Sequence, residues 1–503
     1  MNLSPPPSPA PWRLAVAALP LLLVACSVTR PPAAVPAPLP AQWQTPQSAL
    51  PHAGALTALA DWWRQSGDAL LVDLIEAAEA ASPDLASAAA RIAEARATRV
   101  QAGAAMGPTL DGSLSLSRGN TLSTGSGGVS GGTASLPSFT NAQAGLQAGW
   151  EIDLFGGLAA TRDAAGARLS ASQAQWHQAR VAVAAETANA YFAERACARQ
   201  LAVSEQDTAS RRESARLTAL SEKAGFAAPA DAALTRASAA DAAARLTQQR
   251  TQCALQRQAL VALTGWELSA LAQRLDARPG DLALPALQPV DSVPARALAQ
   301  RPDVYAAELA VAAASADAGA AQAQRYPRLS LAGSISALHV RGAGASQTVN
   351  SWSIGPLQLS LPIFDGGTRA ANAEAARARY DEAVVLYRAK VRQGVREVEE
   401  ALLRLQDTAQ RAGDADTAVA GYQASFDATQ ARYDGGLASL FELEDARRTL
   451  FAAQTARVAL QRERTEAWVA LYRALGGGWT RPEDGQAVAA TSSPAPAAQT
   501  SRP

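Results

Sequence analysis

Two stretches of this chain, Leu158 to Glu222 and Arg369 to Asp434, run for 65 and 66 residues without a proline. A helix of that length is roughly 100 Å long at 1.5 Å per residue, several times the diameter of a compact domain. It must pack lengthwise against partners. Return helices are expected over 228–265 and 438–476, after turns at Gly225 and Gly436. In the second return helix Leu443, Ala446, Leu450, Ala453 and Leu460 recur near a 3–4 spacing, with Arg457 interrupting it. Aromatic residues at 5% and abundant Ala suit such close packing. Helices alone leave a fibrous coiled-coil rod open as one outcome.

The same punctuation is written twice. Pro83-Asp84 and Pro302-Asp303 lie 219 residues apart, as do Pro108 and Pro327; Gly225 and Gly436 lie 211 apart. An internal duplication follows, with repeats over 61–273 and 295–479 joined by a linker at 274–294. Each repeat reads helix, two strands, long helix (158–222 or 367–434), return helix. Pro83 and Pro302 fit a first helical turn, where the missing N–H costs nothing, and Ser82 can cap its helix. Polarity alternates over about 109–118, 142–154, 328–341 and 351–364, which predicts four strands. Pro356 inside the last pattern indicates a bulge or an edge. Gly156-Gly157 and Gly366-Gly367 stand where each second strand turns into a long helix, and Gly tolerates the backbone angles such a turn needs.

Four strands cannot close a membrane barrel, and an open sheet in lipid leaves unpaired backbone groups at several kcal/mol each. Three chains would supply twelve strands, an even number that can close.

The N-terminus reads as a bacterial export signal over 1–25, with Arg13 before a short apolar run. "LVAC" ends it at Cys26, which resembles a lipobox, so Cys26 is expected to be diacylated. A Pro/Ala-rich tether over 26–60 follows, and a Pro/Ala/Ser-rich tail fills 480–503. The chain carries 45 basic and 45 acidic residues, so no net field draws it to nucleic acid. His52, His177 and His339 have no metal-ligand or triad partner at a recognisable spacing, and the Gly-rich run 125–132 lacks the Lys of a phosphate loop. No enzyme, metal or cofactor is expected. Cys197 and Cys253 each stand 28 residues from Gly225, so they face one another across a hairpin; an oxidising periplasm permits a disulfide, and two small buried residues are the alternative.

"WEIDLFGG", "AETANAYFAERA", "RPDV" at Arg301 and "SWSIGPLQLSLPIFDGG", together with the lipobox, resemble the TolC/OprM-type outer-membrane efflux proteins of the lipidated NodT-type branch. The resemblance implies an α+β membrane protein: a homotrimer with a 12-stranded outer-membrane β-barrel, four strands from each chain, continued by a periplasmic helical tunnel. It implies a passive small-molecule efflux duct in the outer membrane, working with a periplasmic adaptor and an inner-membrane transporter of the RND type. A type I protein-secretion duct and a pore-less structural lipoprotein are the alternatives. Carried over by position, Asp445 and Glu442 would form an acidic ring at the periplasmic gate, Phe441 a constriction and Tyr433 a hydrogen-bonding clasp, with Asp231 the counterpart of Glu442 in the first repeat. Read without the resemblance, Glu442 and Asp445 are acids that suit a helix start. Some relatives carry a basic residue two positions after the Gly; here that position is Ala438, which removes that bridge.

Overall fold

The computed structural model describes residues 28–40, 62–64, 67–119, 138–277, 298–342 and 345–481. Cys26, the signal segment and the tail beyond Arg481 lie outside them. In chain order the elements are α1 (Ala69–Ala81), α2 (Pro83–Ala104), β1 (Thr109–Gly119), β2 (Phe139–Ile152), α3 (Gly157–Lys223), α4 (Pro229–Thr264) and α5 (Leu268–Asp276). The second half gives α6 (Pro302–Ala323), β3 (Arg328–Gly342), β4 (Ala345–Ser360), α7 (Thr368–Asp434) and α8 (Leu440–Ala474). Helices α3 and α7 each have 67 residues. Caps follow the chemistry of the sequence: Asp68 accepts from the Leu70 N–H, and the Ser82 hydroxyl accepts from the Leu85 N–H at 3.3 Å beside Pro83.

The chain divides into two compact units. The first draws on Ile92–Ser172, Ala307–Tyr387 and the N-terminal segment. Its strands form one antiparallel sheet in the order β1-β2-β3-β4, which leaves an outer edge on β1 and another on β4. Register sorts the side chains into two faces. Leu110, Ala148, Gly333 and Ile354 share one row, and Gly112, Leu146, Ile335 and Trp352 share the next on the same face. Opposite them Ser113, Gly145, Ser336 and Ser351 align, and Ser336 and Ser351 hydrogen-bond at 3.0 Å, as Ser334 and Ser353 do at 2.9 Å. The apolar face is uncovered in the single chain: Leu114 and Ile354 are each 85% exposed. The ladder between β3 and β4 shifts register between Leu331 and Gly333, opposite Gly355-Pro356, so Pro356 sits at a bulge on an edge strand.

At the helix-linked ends of the strands, backbone geometry explains both Gly pairs. Gly156, Gly366 and Gly367 take positive φ of 73°, 65° and 87°. Gly157 is needed for a different reason: a Cβ there would stand 3.0 Å from the Ala323 Cβ. Asp153 accepts from the Ala159 N–H at 2.8 Å, and Asp365 accepts from the Gly367 and Arg369 N–H groups, so each turn carries its own carboxylate for the new helix. The N-terminal segment lies against this unit. Arg30 pairs with Asp163 at 3.1 Å over Gly319, and the Pro32 carbonyl accepts from the Tyr380 hydroxyl.

The second unit draws on Gln173–Ala306, Arg388–Pro503 and Ala37–Arg91. It has an ordinary buried core in which Trp62 stacks on Trp468 at 4.9 Å, with Tyr472, Phe192, Leu71 and Leu402 around them. Burying each such side chain stabilises by about 1.5–3 kcal/mol. Arg301 is 3% exposed and fully employed: it binds Asp303 with two nitrogens, Glu397 at 2.7 Å and the Ala474 carbonyl at the end of α8. Cys197 on α3 and Cys253 on α4 are joined in a disulfide with Cα atoms 5.5 Å apart.

Candidate functional site

The α7–α8 turn is built by one local motif. Gly436 has φ +72°, its N–H reaches the Tyr433 carbonyl, and the Leu437 N–H reaches the Arg432 carbonyl at 2.7 Å. This pair of hydrogen bonds closes the end of α7 in the left-handed cap that Gly favours. The α3–α4 turn repeats it at Gly225: φ +80°, with bonds from Gly225 to Glu222 and from Phe226 to Ser221. The two turns differ at the next helix start. Ser439 and Glu442 form a reciprocal capping box, whereas α4 starts behind Ala228, which offers no side-chain cap, with Pro229 at the first position. Glu442 and Asp231 both occupy the third position of their helices.

The sequence-derived gate residues divide along α8. Phe441, Glu442, Asp445 and Arg448 lie on its exposed stripe, while Leu443, Arg447 and Leu450 are buried. Tyr433 is half-buried at the end of α7. Glu442 accepts from the Ser439 backbone N–H at 2.6 Å, and its carboxyl is held below the usual range by that bond, by the Ser439 hydroxyl and by Arg432 at 3.7 Å. Asp445 is in direct ion-pair contact with Arg448. Arg432 also donates to the Leu437 carbonyl, bracing the turn that Ala438 leaves without a basic side chain.

A second cluster lies on the buried stripe. Arg211 on α3 grips Asp207 through one nitrogen and Glu444 on α8 at 2.8 Å through another. Ser238 on α4 donates to the same Glu444 oxygen at 3.0 Å. Arg447 is 3% exposed, contacts Glu444, donates to Ser214 at 2.9 Å and lies over the Phe426 ring. Burial pulls its guanidinium below the ordinary range, against the pull of Glu444. Three helices from both halves of the chain are therefore fastened at this one level. Sequence reasoning missed the cluster because Arg211 and Glu444 are 233 residues apart. The one local sign was a charged residue, Arg447, falling among Leu443 and Leu450 on the apolar stripe. Among the described residues no group of three or more His, Cys, Asp and Glu side chains could hold a metal ion.

Against this geometry, a family model described as "Outer membrane efflux protein" matches residues 74–266 and again 293–477. This chain belongs to that family. The pyoverdine export outer membrane protein OpmQ of Pseudomonas putida is 31% identical over 475 residues, 93% of this chain and 98% of that protein. The toluene efflux pump outer membrane protein TtgI of Pseudomonas putida is 31% identical over 469 residues, 92% of this chain and 97% of that protein. Among solved structures, the outer-membrane channel OprN superposes with a TM-score of 0.78 at 28% identity, covering 90% of this chain and 99% of that one. The chain is thus an outer-membrane efflux duct, and its family is one of channels, not enzymes. No helix among the described residues is long and apolar enough to cross a membrane.

Proposed function

We propose that three copies of this chain close a barrel of twelve strands in the outer membrane and that their long helices pack into a periplasmic tunnel. The observation that carries this reading is the sheet itself: four strands, two open edges, one apolar exposed face and one face laddered with serines. In lipid the open edges cost several kcal/mol for every unpaired group, and edge-to-edge closure removes that cost. The serine face then lines water and the leucine face meets acyl chains. Cys26, diacylated at the end of the tether, adds a lipid anchor. The duplication of the two halves is supported by the double match of the family model and by the repeated order of elements.

The duct is passive and works between a periplasmic adaptor, an inner-membrane RND-type transporter and the exterior. Its cargo is small molecules, the class named for OpmQ and TtgI. The exposed stripe of Phe441, Glu442 and Asp445, with Tyr433 and Asp231 nearby in the chain's two turns, forms the periplasmic mouth. Three-fold repetition sets three Asp445–Arg448 pairs around the opening. Asp445→Ala leaves Arg448 without its carboxylate and makes the mouth more positive, so cation preference falls and the closed state leaks. Single-channel recording in planar bilayers tests both parts. A pore whose conductance and ion preference are the same with and without Asp445 contradicts the gate assignment, and a purified protein that opens no pore contradicts the duct.

A further inference from the structure

The apolar face of the sheet gives way to polar and basic residues toward the strand tips away from the helices. There Arg118, Thr140, Arg341 and Ser346 form one row across all four strands. The next row on the same face is Leu116, Ala142, His339 and Thr348, and the one beyond it holds Leu114. From Arg118 to Leu110 is eight residues of strand, about 27 Å at 3.3–3.4 Å per residue, which at a barrel tilt of about 35–45° covers about 20 Å of the roughly 25 Å apolar band. The basic row therefore stands at one boundary of the hydrocarbon, on the side that faces lipid.

Nothing among the described residues compensates its charge. The four strands carry only two acids, Asp111 and Glu151, and register puts both on the serine face. The connecting residues 120–137 and 343–344 contain no ionisable side chain at all. Among the described residues, neither Arg118 nor Arg341 has an ion-pair partner. A recess of about 720 Å3 is lined by Arg118 and Arg341 together with Ser138, Thr140, Ser346 and His339. The His339 ring already bonds the Thr348 hydroxyl at 2.9 Å. Two guanidiniums, several hydroxyls and no carboxylate recognise phosphate oxygens. Below the row Leu116 and Leu114 come first and the row of Leu146, Ile335 and Trp352 follows, an apolar track for acyl chains.

Resting on the barrel reading above, we propose that this rim is a binding site for the phosphorylated headgroup of an outer-leaflet glycolipid. Arg118 and Arg341 grip the phosphate from adjacent sides of Thr140, and the acyl chains lie along Leu116, Leu114 and Trp352. The efflux cargo is not the ligand, because the site is on the face away from the serine ladder. Three-fold closure repeats the row around the barrel, so each duct carries several such sites.

The full-length protein, purified in neutral detergent and placed in phosphatidylcholine nanodiscs, is probed with diphosphoryl lipid A and with the same lipid A dephosphorylated. Retained lipid is counted by native mass spectrometry. The wild type retains the phosphorylated form roughly twentyfold better, as two basic side chains at a membrane surface supply; Arg118→Gln with Arg341→Gln abolishes the preference and leaves conductance unchanged. Equal retention of the two lipids by the wild type overturns the site, and this comparison stands even where the substituted chain does not assemble. Phosphatidylglycerol or inorganic phosphate displacing lipid A at equal concentration also overturns it, by revealing a general anion site. A wild type without conductance contradicts the duct instead, so the two failures are told apart.

Discussion

The sheet and the helical unit solve opposite problems with the same chain. In the helical unit the large side chains are inside: Trp468 is 1% exposed and Trp62 stacks upon it. In the sheet they are outside, with Trp352 and Ile354 among the most exposed residues of the strands. The helical unit has a buried core of its own and still exposes Phe226, Leu255 and Leu403 for further packing, while the sheet offers neither a core nor a closed ladder. The difference teaches where each derives its stability: the first from water's exclusion within one chain, the second from lipid and from further copies.

The comparison is broken most severely by charging the apolar face. Leu114→Arg with Trp352→Arg places two cations in each chain against hydrocarbon, at about 2–4 kcal/mol for each near the midplane. Heat-modifiable oligomer is expected to vanish from outer-membrane extracts, while the helical signal of the solubilised chain persists. Normal assembly of that variant would mean that the face does not meet lipid. Next in size, Glu444→Ala strands the buried Arg447 and leaves Arg211 with Asp207 alone, a loss of about 3–5 kcal/mol when one member of a buried pair is removed. Thermal unfolding of the helices should fall markedly with the sheet's oligomer intact; an unshifted melt would show the cluster to be idle.

A smaller effect is expected from Cys197→Ser with Cys253→Ser. Opening a loop whose ends are 56 residues apart costs about 2–4 kcal/mol by chain entropy, less where the hairpin already holds the ends together. Melting with and without reductant reads it, and no difference would mean the bridge is redundant to the α3–α4 packing. Smallest is the acid response of Asp303. Burial alone would raise its carboxyl, but Arg301 and then Lys390 overcome that and hold it below 3.8. Its contribution is therefore full above the unfolded value near pH 4 and is lost as pH falls through the depressed native value. Asp303→Asn should flatten that part of the acid titration of the helical unit, and an unchanged acid limb would remove the assignment.

Much of this was legible beforehand, and the reasons are physical. Proline-free length, Pro83 and Pro302 in first turns, and Gly225 and Gly436 at positive φ are local signals, written within a few residues of what they cause. The strands were legible only where they alternate. β2 begins at Phe139 and β4 at Ala345, earlier than the alternation at 142 and 351, because Thr140-Asn141 and Ser346-Gln347 put polar side chains on both faces while the ladder bonds continue. Glu442 is legible as an acid at a helix start, and the Ser-x-x-Glu spacing from Ser439 writes its capping box into the sequence. The helix-starting carboxylates Asp153 and Asp365 were hidden by the glycines beside them. The Arg211–Glu444 fastening could not be read at all, since nothing local to either residue specifies the other.

The most direct measurement is the native mass of the detergent-solubilised protein. Three chains per particle is the result expected of a four-stranded sheet with two open edges. A stable, folded single chain that keeps its strands would contradict it.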